Sequence, residues 1–138
     1  MSAYKKIKTE YKTLKSLLDA LRDLGYNPDV APNPKENSIS LIGYLGDVRP
    51  EKAVVRIPRQ QVGRASNDVG FCWTGSEYEA IISDFDNSRN FDLCIQQSLK
   101  QRYTLHETKR LAALQGYSLQ EQVLADGTIR LTCTSLGY

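Results

Sequence analysis

A chain of 138 residues with 41% hydrophobic and 25% charged residues has a globular balance, which excludes intrinsic disorder. At this length a single core forms without a metal or disulfide staple, and the formal net charge of +2 gives no drive toward nucleic acid or anionic membranes. No apolar run approaches the roughly 20 residues that span a bilayer, and the lysine-rich start lacks the apolar stretch of a secretory signal.

The first element in chain order is a short strand over residues 4–9, whose Lys5, Lys6 and Lys8 suit an edge or a solvated face. Leu14, Leu17, Leu18, Leu21 and Leu24 then recur at helical spacing, with Thr13 as N-cap and Gly25 as stop. Three prolines make residues 26–37 a loop. Strands follow at 38–45 and 53–57, joined by a turn over 47–52 that contains Pro50, and residues 58–67 read as an exposed basic loop. β-Branched and aromatic residues at 69–73 and 77–83 flank Thr74-Gly75-Ser76, which predicts a hairpin.

A polar stretch over 84–90 offers Asn87 or Ser88 as the cap of a long helix, residues 91–115, which Gly116 terminates. Phe91, Ile95, Leu99 and Tyr103 step along one face of it; beyond Thr104 the pattern turns polar, so the helix leaves the core or bends there. The last pair of strands, 118–124 and 128–133, flanks Asp126-Gly127, a pair suited to a type I′ turn. Ile129, Leu131 and Cys133 alternate with polar residues, so one face of this hairpin is expected to be buried. The order predicts an α+β fold, one domain over 1–138, with two helices on a largely antiparallel sheet in an elaborated ferredoxin-like βαββαβ arrangement.

Much familiar chemistry is missing. There is no GxxxxGK[ST] loop, no complete dinucleotide fingerprint around Gly43 and Gly46, no GxSxG and no CxxC. With one histidine and three scattered cysteines (Cys72, Cys94, Cys133), no metal or other cofactor is expected, and the thiols read as buried or half-buried in a reducing cytoplasm.

Three groups remain. Tyr103 and His106 are spaced i, i+3 on the long helix and would share a face, as packing residues or as a small-ligand or catalytic pair. Lys5, Lys6 and Lys8 in the basic stretch 4–15, with Arg56, Arg59 and Arg64 in the stretch 49–64, would bind anions such as RNA if the stretches converged. Trp73 shares a strand face with Phe71, and would be a protein-binding anchor if exposed rather than packed.

Several short segments, in order, carry a resemblance. They are Ile7-Lys8-Thr9, Leu21-Arg22-Asp23-Leu24-Gly25-Tyr26, Gly43-Tyr44-Leu45-Gly46, and Asp68-Val69-Gly70-Phe71 with Trp73 and Tyr78. Gln101-Arg102-Tyr103 with His106, Gln115-Gly116-Tyr117 and the run from Asp126 to Leu131 complete the set. Together they resemble the hypothetical chloroplast reading frame thirty-five family of cyanobacteria and algal plastids. That resemblance implies a small protein of the cytoplasm or stroma and supplies no catalytic residues. The chain departs from the pattern in its longer 27–37 loop, its polar 58–67 segment and Thr104-Leu105 before the histidine.

The expectation is a non-enzymatic accessory protein that binds another protein. RNA binding through the basic stretches and a site at Tyr103 and His106 are the alternatives, and the edge strands at 4–9 and 128–134 are where two copies would pair.

Overall fold

Alternation along four consecutive pairings builds the centre of the molecule. In the computed structural model, which describes residues 3–135, β1 (Tyr4–Ile7), β2 (Asp29–Val30), β5 (Val55–Ile57), β6 (Val69–Trp73) and β7 (Tyr78–Ser83) form one sheet. Its order is β1-β7-β6-β5-β2, and every pairing is antiparallel. Register places Ile7, Ala80, Phe71, Val55 and Val30 in one row across the sheet. Residues of that face pack under α1 (Leu14–Asp23) and α4 (Leu93–Leu114), forming the main core with Leu17, Leu21, Phe91, Leu99 and Tyr103.

The opposite face is covered by a ribbon of β3 (Ile39–Ile42) and β4 (Val48–Ala53), which buries Leu41 and Ala53 against Cys72, Ile81 and Tyr4. The ribbon lies so close that a Cβ on Gly70 would sit 3.0 Å from the Ala53 Cβ and 2.9 Å from a Leu41 methyl. A bare backbone at position 70 is therefore what lets the third layer seat.

Two short helices join these layers, α2 (Arg59–Val62) and α3 (Asp84–Asn87). The chain ends in β8 (Tyr117–Val123) and β9 (Ile129–Ser135), a separate hairpin beside the second half of α4.

The α+β class, the first strand at a sheet edge, the 69–83 hairpin and both long helices agree with the sequence reading. The βαββαβ core does not form, because that topology needs a strand after α4 to enter the main sheet, and β8–β9 stays outside it. The turn of the β3–β4 ribbon is at 43–47, closed by Gly43 N–H to Asp47 O at 2.8 Å, and Pro50 lies within β4 instead. Among the described residues β4 has β3 as its sole ladder partner, so a proline without an N–H is tolerated there.

Asp92, not Asn87 or Ser88, caps α4, its carboxylate accepting from Ile95 N–H at 3.2 Å; Ser83 caps α3 in the polar stretch. Thr13 holds the N-cap position of α1 but gives its hydroxyl to Glu107. The final turn is not type I′. Among the described residues Ala65 is the one non-glycine with positive φ, so Asp126 stays right-handed while Gly127 (φ 87°) makes the left-handed step of a three-residue loop. Of the cysteines, Cys72 is buried, whereas Cys94 and Cys133 are exposed.

Candidate functional site

Tyr103 and His106 both reach α1, but at opposite ends of a helix about 15 Å long. The Tyr103 hydroxyl accepts from the backbone N–H groups of Lys12 and Thr13 at 2.9 and 3.1 Å, pinning the segment that leads into α1. His106 Nε2 lies 2.6 Å from Asp23 Oδ2, and Arg102 binds the same oxygen. Burial pushes the Asp23 carboxyl up, but hydrogen bonds from His106 and Arg102 outweigh it and hold the group below the ordinary carboxylate value.

At the other end, Glu107 receives Arg110, Thr13 and Ser16, and chiefly the Arg110 hydrogen bond lowers it to about 2. These side chains clasp α1 to α4; Tyr103 and His106 do not converge on a common cavity.

Trp73 is half-buried rather than a projecting anchor. Its ring packs 4.8 Å from that of Tyr78, Lys35 lies 6.0 Å over it, and the Asn37 amide bonds both Trp73 N–H and C=O. The basic stretches do not meet on one strand pair. β1 and β5 are separated by β7 and β6, three strand spacings or about 14 Å, but the stretches approach on the ribbon side, where Arg49 lies 4.9 Å over the Tyr4 ring and Lys6 and Lys52 line one hollow with Glu51 and Glu79.

Arg56 is engaged by Asp29 at 2.7 Å and by the Ser40 carbonyl, Arg59 reaches the Tyr44 carbonyl, and Lys5 pairs with Asp84 at 3.3 Å. Arg64 is exposed; Lys6 and Lys8 have no carboxylate partner among the described residues.

Residues 60, 61, 64 and 65 of the segment expected to be an exposed basic loop are exposed, but its end turns inward into a buried polar network. Ser66, Asn67 and Asp68 are buried, and so are Ser83 and Asp86. Asp68 accepts from the N–H groups of Ile42 and Arg59, both at 2.7 Å, tying the ribbon and α2 to the sheet. Burial raises its carboxyl above the ordinary value, against the opposing pull of those two N–H groups and of Arg56 and Arg59. Asn67 donates its N–H to Asp86 and its amide to Ser83, and accepts from Tyr44 N–H. This network is scaffold: it satisfies backbone groups that the loops would otherwise bury unpaired.

An apolar concave surface lies elsewhere, between β1 and α4. Its volume is about 530 Å³. Ile7, Phe71, Ala80, Ile82, Phe91 and Leu99 form an apolar floor and walls, and Lys8, Glu10, Gln96, Gln97 and Lys100 stand around them. Two helices do not roof five strands completely, and Ala80 is the small side chain in the row Ile7–Ala80–Phe71–Val55, so depth remains beneath the α4 edge. Leu93, at the first turn of α4, is 65% exposed on the rim.

A shallower hollow of about 420 Å³ continues along α4, shares Gln97, Lys100 and Thr104 with the first, and ends on Ile129 and Leu131 of β9. Of the residues singled out from sequence, Lys8 and Tyr103 line the deeper groove. The rest of it was missed, because the exposure of Leu93 and the position of Ala80 beneath α4 are set by tertiary packing.

A family described as "Protein of unknown function (DUF1257)" matches residues 20–132. No curated protein and no solved structure matches the chain.

Proposed function

The chain belongs to the DUF1257 family, and from this premise we propose that it is a non-catalytic protein-binding module whose partner seats in the groove between β1 and α4. One observation carries the reading: an apolar hollow of about 530 Å³ opens beside a strand that, among the described residues, is paired on one side only. Of the four hydroxyls that line it, Thr9 is engaged with the Tyr78 carbonyl and Tyr103 with backbone N–H groups at the start of α1, and burial pushes the Tyr11 hydroxyl up to about 12, far from proton exchange at neutral pH. That leaves binding, rather than proton transfer, as the chemistry its lining supports.

Arg56 and Arg59 are held by internal partners, which favours this reading over RNA binding. The short ordered matches named above support the finer placement in the reading frame thirty-five family, as one domain acting in a cyanobacterial cytoplasm or a plastid stroma.

A randomised peptide library selected against the purified chain tests the proposal. The expected result is enriched peptides that lose affinity about tenfold or more on Leu93→Asp, a change at an exposed rim position. A selection that enriches nothing, or only peptides indifferent to both Leu93→Asp and Ala80→Met, overturns it.

A further inference from the structure

We infer that the partner binds as an extended, acidic strand added to the free edge of β1, its apolar side chains alternating into the groove; this rests on the binding-module reading above. The phase of the edge can be worked out. Asp84 N–H donates to Ala3 O at 2.8 Å, which makes residues 3 and 84 a hydrogen-bonded pair. In an antiparallel ladder such pairs alternate, so Lys5 with Ile82 and Ile7 with Ala80 exchange bonds, while Tyr4 and Lys6 turn their N–H and C=O groups outward. Two outward-facing residues thus offer a short ladder to an incoming strand.

Such a strand would run about 4.8 Å outside β1, and every second side chain would face the helical layer, where Leu93, Gln97 and Lys100 of α4 wait. A helix laid in the same groove would fill the hollow but leave the edge groups unused.

Charge selects the sequence of the strand. Lys8 and Lys100 lack a carboxylate partner among the described residues, and the groove's lining holds a single acid, Glu10. Lysines on an open edge keep identical copies from pairing, since each copy brings the same charges. The same lysines favour an acidic strand and speed its encounter.

The test uses the full chain and short synthetic peptides that alternate valine with glutamate, valine with lysine, or carry the glutamate composition in a helix-forming order. The expected outcome is binding of the glutamate strand alone, with amide exchange at Tyr4 and Lys6 slowed at least about tenfold, and a Kd weakened about tenfold by Lys8→Glu or Lys100→Glu. Equal binding of the lysine strand, binding without protection at Tyr4 and Lys6, or preference for the helical peptide overturns the inference. So does protection of those amides by self-association without peptide, which would make a second copy the occupant. If all three peptides fail while library-selected peptides still depend on Leu93, the strand inference falls and the binding-module reading stands.

Discussion

The β6–β7 hairpin and the β8–β9 hairpin are both alternating antiparallel pairs, joined by short loops with a glycine at positive φ (Gly75, Gly127). Their fates differ. β6 and β7 sit at the centre of a five-stranded sheet between two packed layers, and Phe71, Ile81 and Ile82 are buried. β8 and β9 pair only with each other, and neither contains a buried residue; Leu131 remains 36% exposed. The inner hairpin is held by burial, whereas the outer one depends on its own ladder, a thin apolar contact with Leu105, and ion pairs of Glu121 with Arg102 and Lys109. An alternating pattern therefore tells which face would be buried, but not whether anything arrives to bury it.

The largest expected effect tests the inner side of that contrast. Phe71→Ala removes a fully buried ring from the sheet's central row and should cost about 3–5 kcal/mol in urea unfolding. Asp68→Ala comes next. It strands the N–H groups of Ile42 and Arg59 in a buried site, for a loss of about 2–3 kcal/mol. If Asp68→Ala were near neutral, the polar network would not be part of what seats the ribbon on the sheet.

A smaller effect belongs to the clasp between α1 and α4. Glu107 is held at about 2 in the folded chain, below its ordinary 4.5, so the folded state binds fewer protons than the unfolded state between these values. The stabilisation it provides is complete above 4.5 and is lost as pH falls toward about 2. Asp68, raised on folding, works with the opposite sign, so the informative quantity is the difference between wild type and Glu107→Gln. Wild type should lose its advantage over Glu107→Gln across that acid window; an advantage constant with pH would show that the Arg110, Thr13 and Ser16 contacts do not depend on the charge.

How much of this was legible follows from the range of the interactions involved. Leu14 to Asp23, the helix that carries Ile95, Leu99 and Tyr103, and the 69–83 hairpin are specified by neighbours a few residues away; they form as read, except that α4 starts at Leu93, two residues later than expected. The position of Pro50 misled because its place in β4 depends on that strand having one ladder partner, a fact of the sheet and not of the dipeptide. Asn67 looked like loop polarity because its partners, Asp86 and Ser83, are 19 and 16 residues distant. Tyr103 and His106 share helical spacing, yet each is claimed by a different end of α1, which the spacing cannot reveal. The groove depends on where α4 stops covering β1, and no local pattern encodes that.

The smallest expected effect is the one that bears most directly on the two hairpins. Leu131→Ala trims a side chain already partly in water, and Glu121→Gln weakens exposed ion pairs, so each should cost no more than about 1 kcal/mol in global stability. Their action should appear in local opening instead. An isolated two-stranded hairpin is marginal in water, so amides of β8 and β9 should exchange through fraying at free energies well below those of β6 and β7. Either substitution should speed exchange in the hairpin while leaving Phe71 and Ile81 amides unchanged. Equal protection of the two hairpins in the wild-type chain would break the comparison, because it would mean that β8–β9 opens only when the whole molecule unfolds.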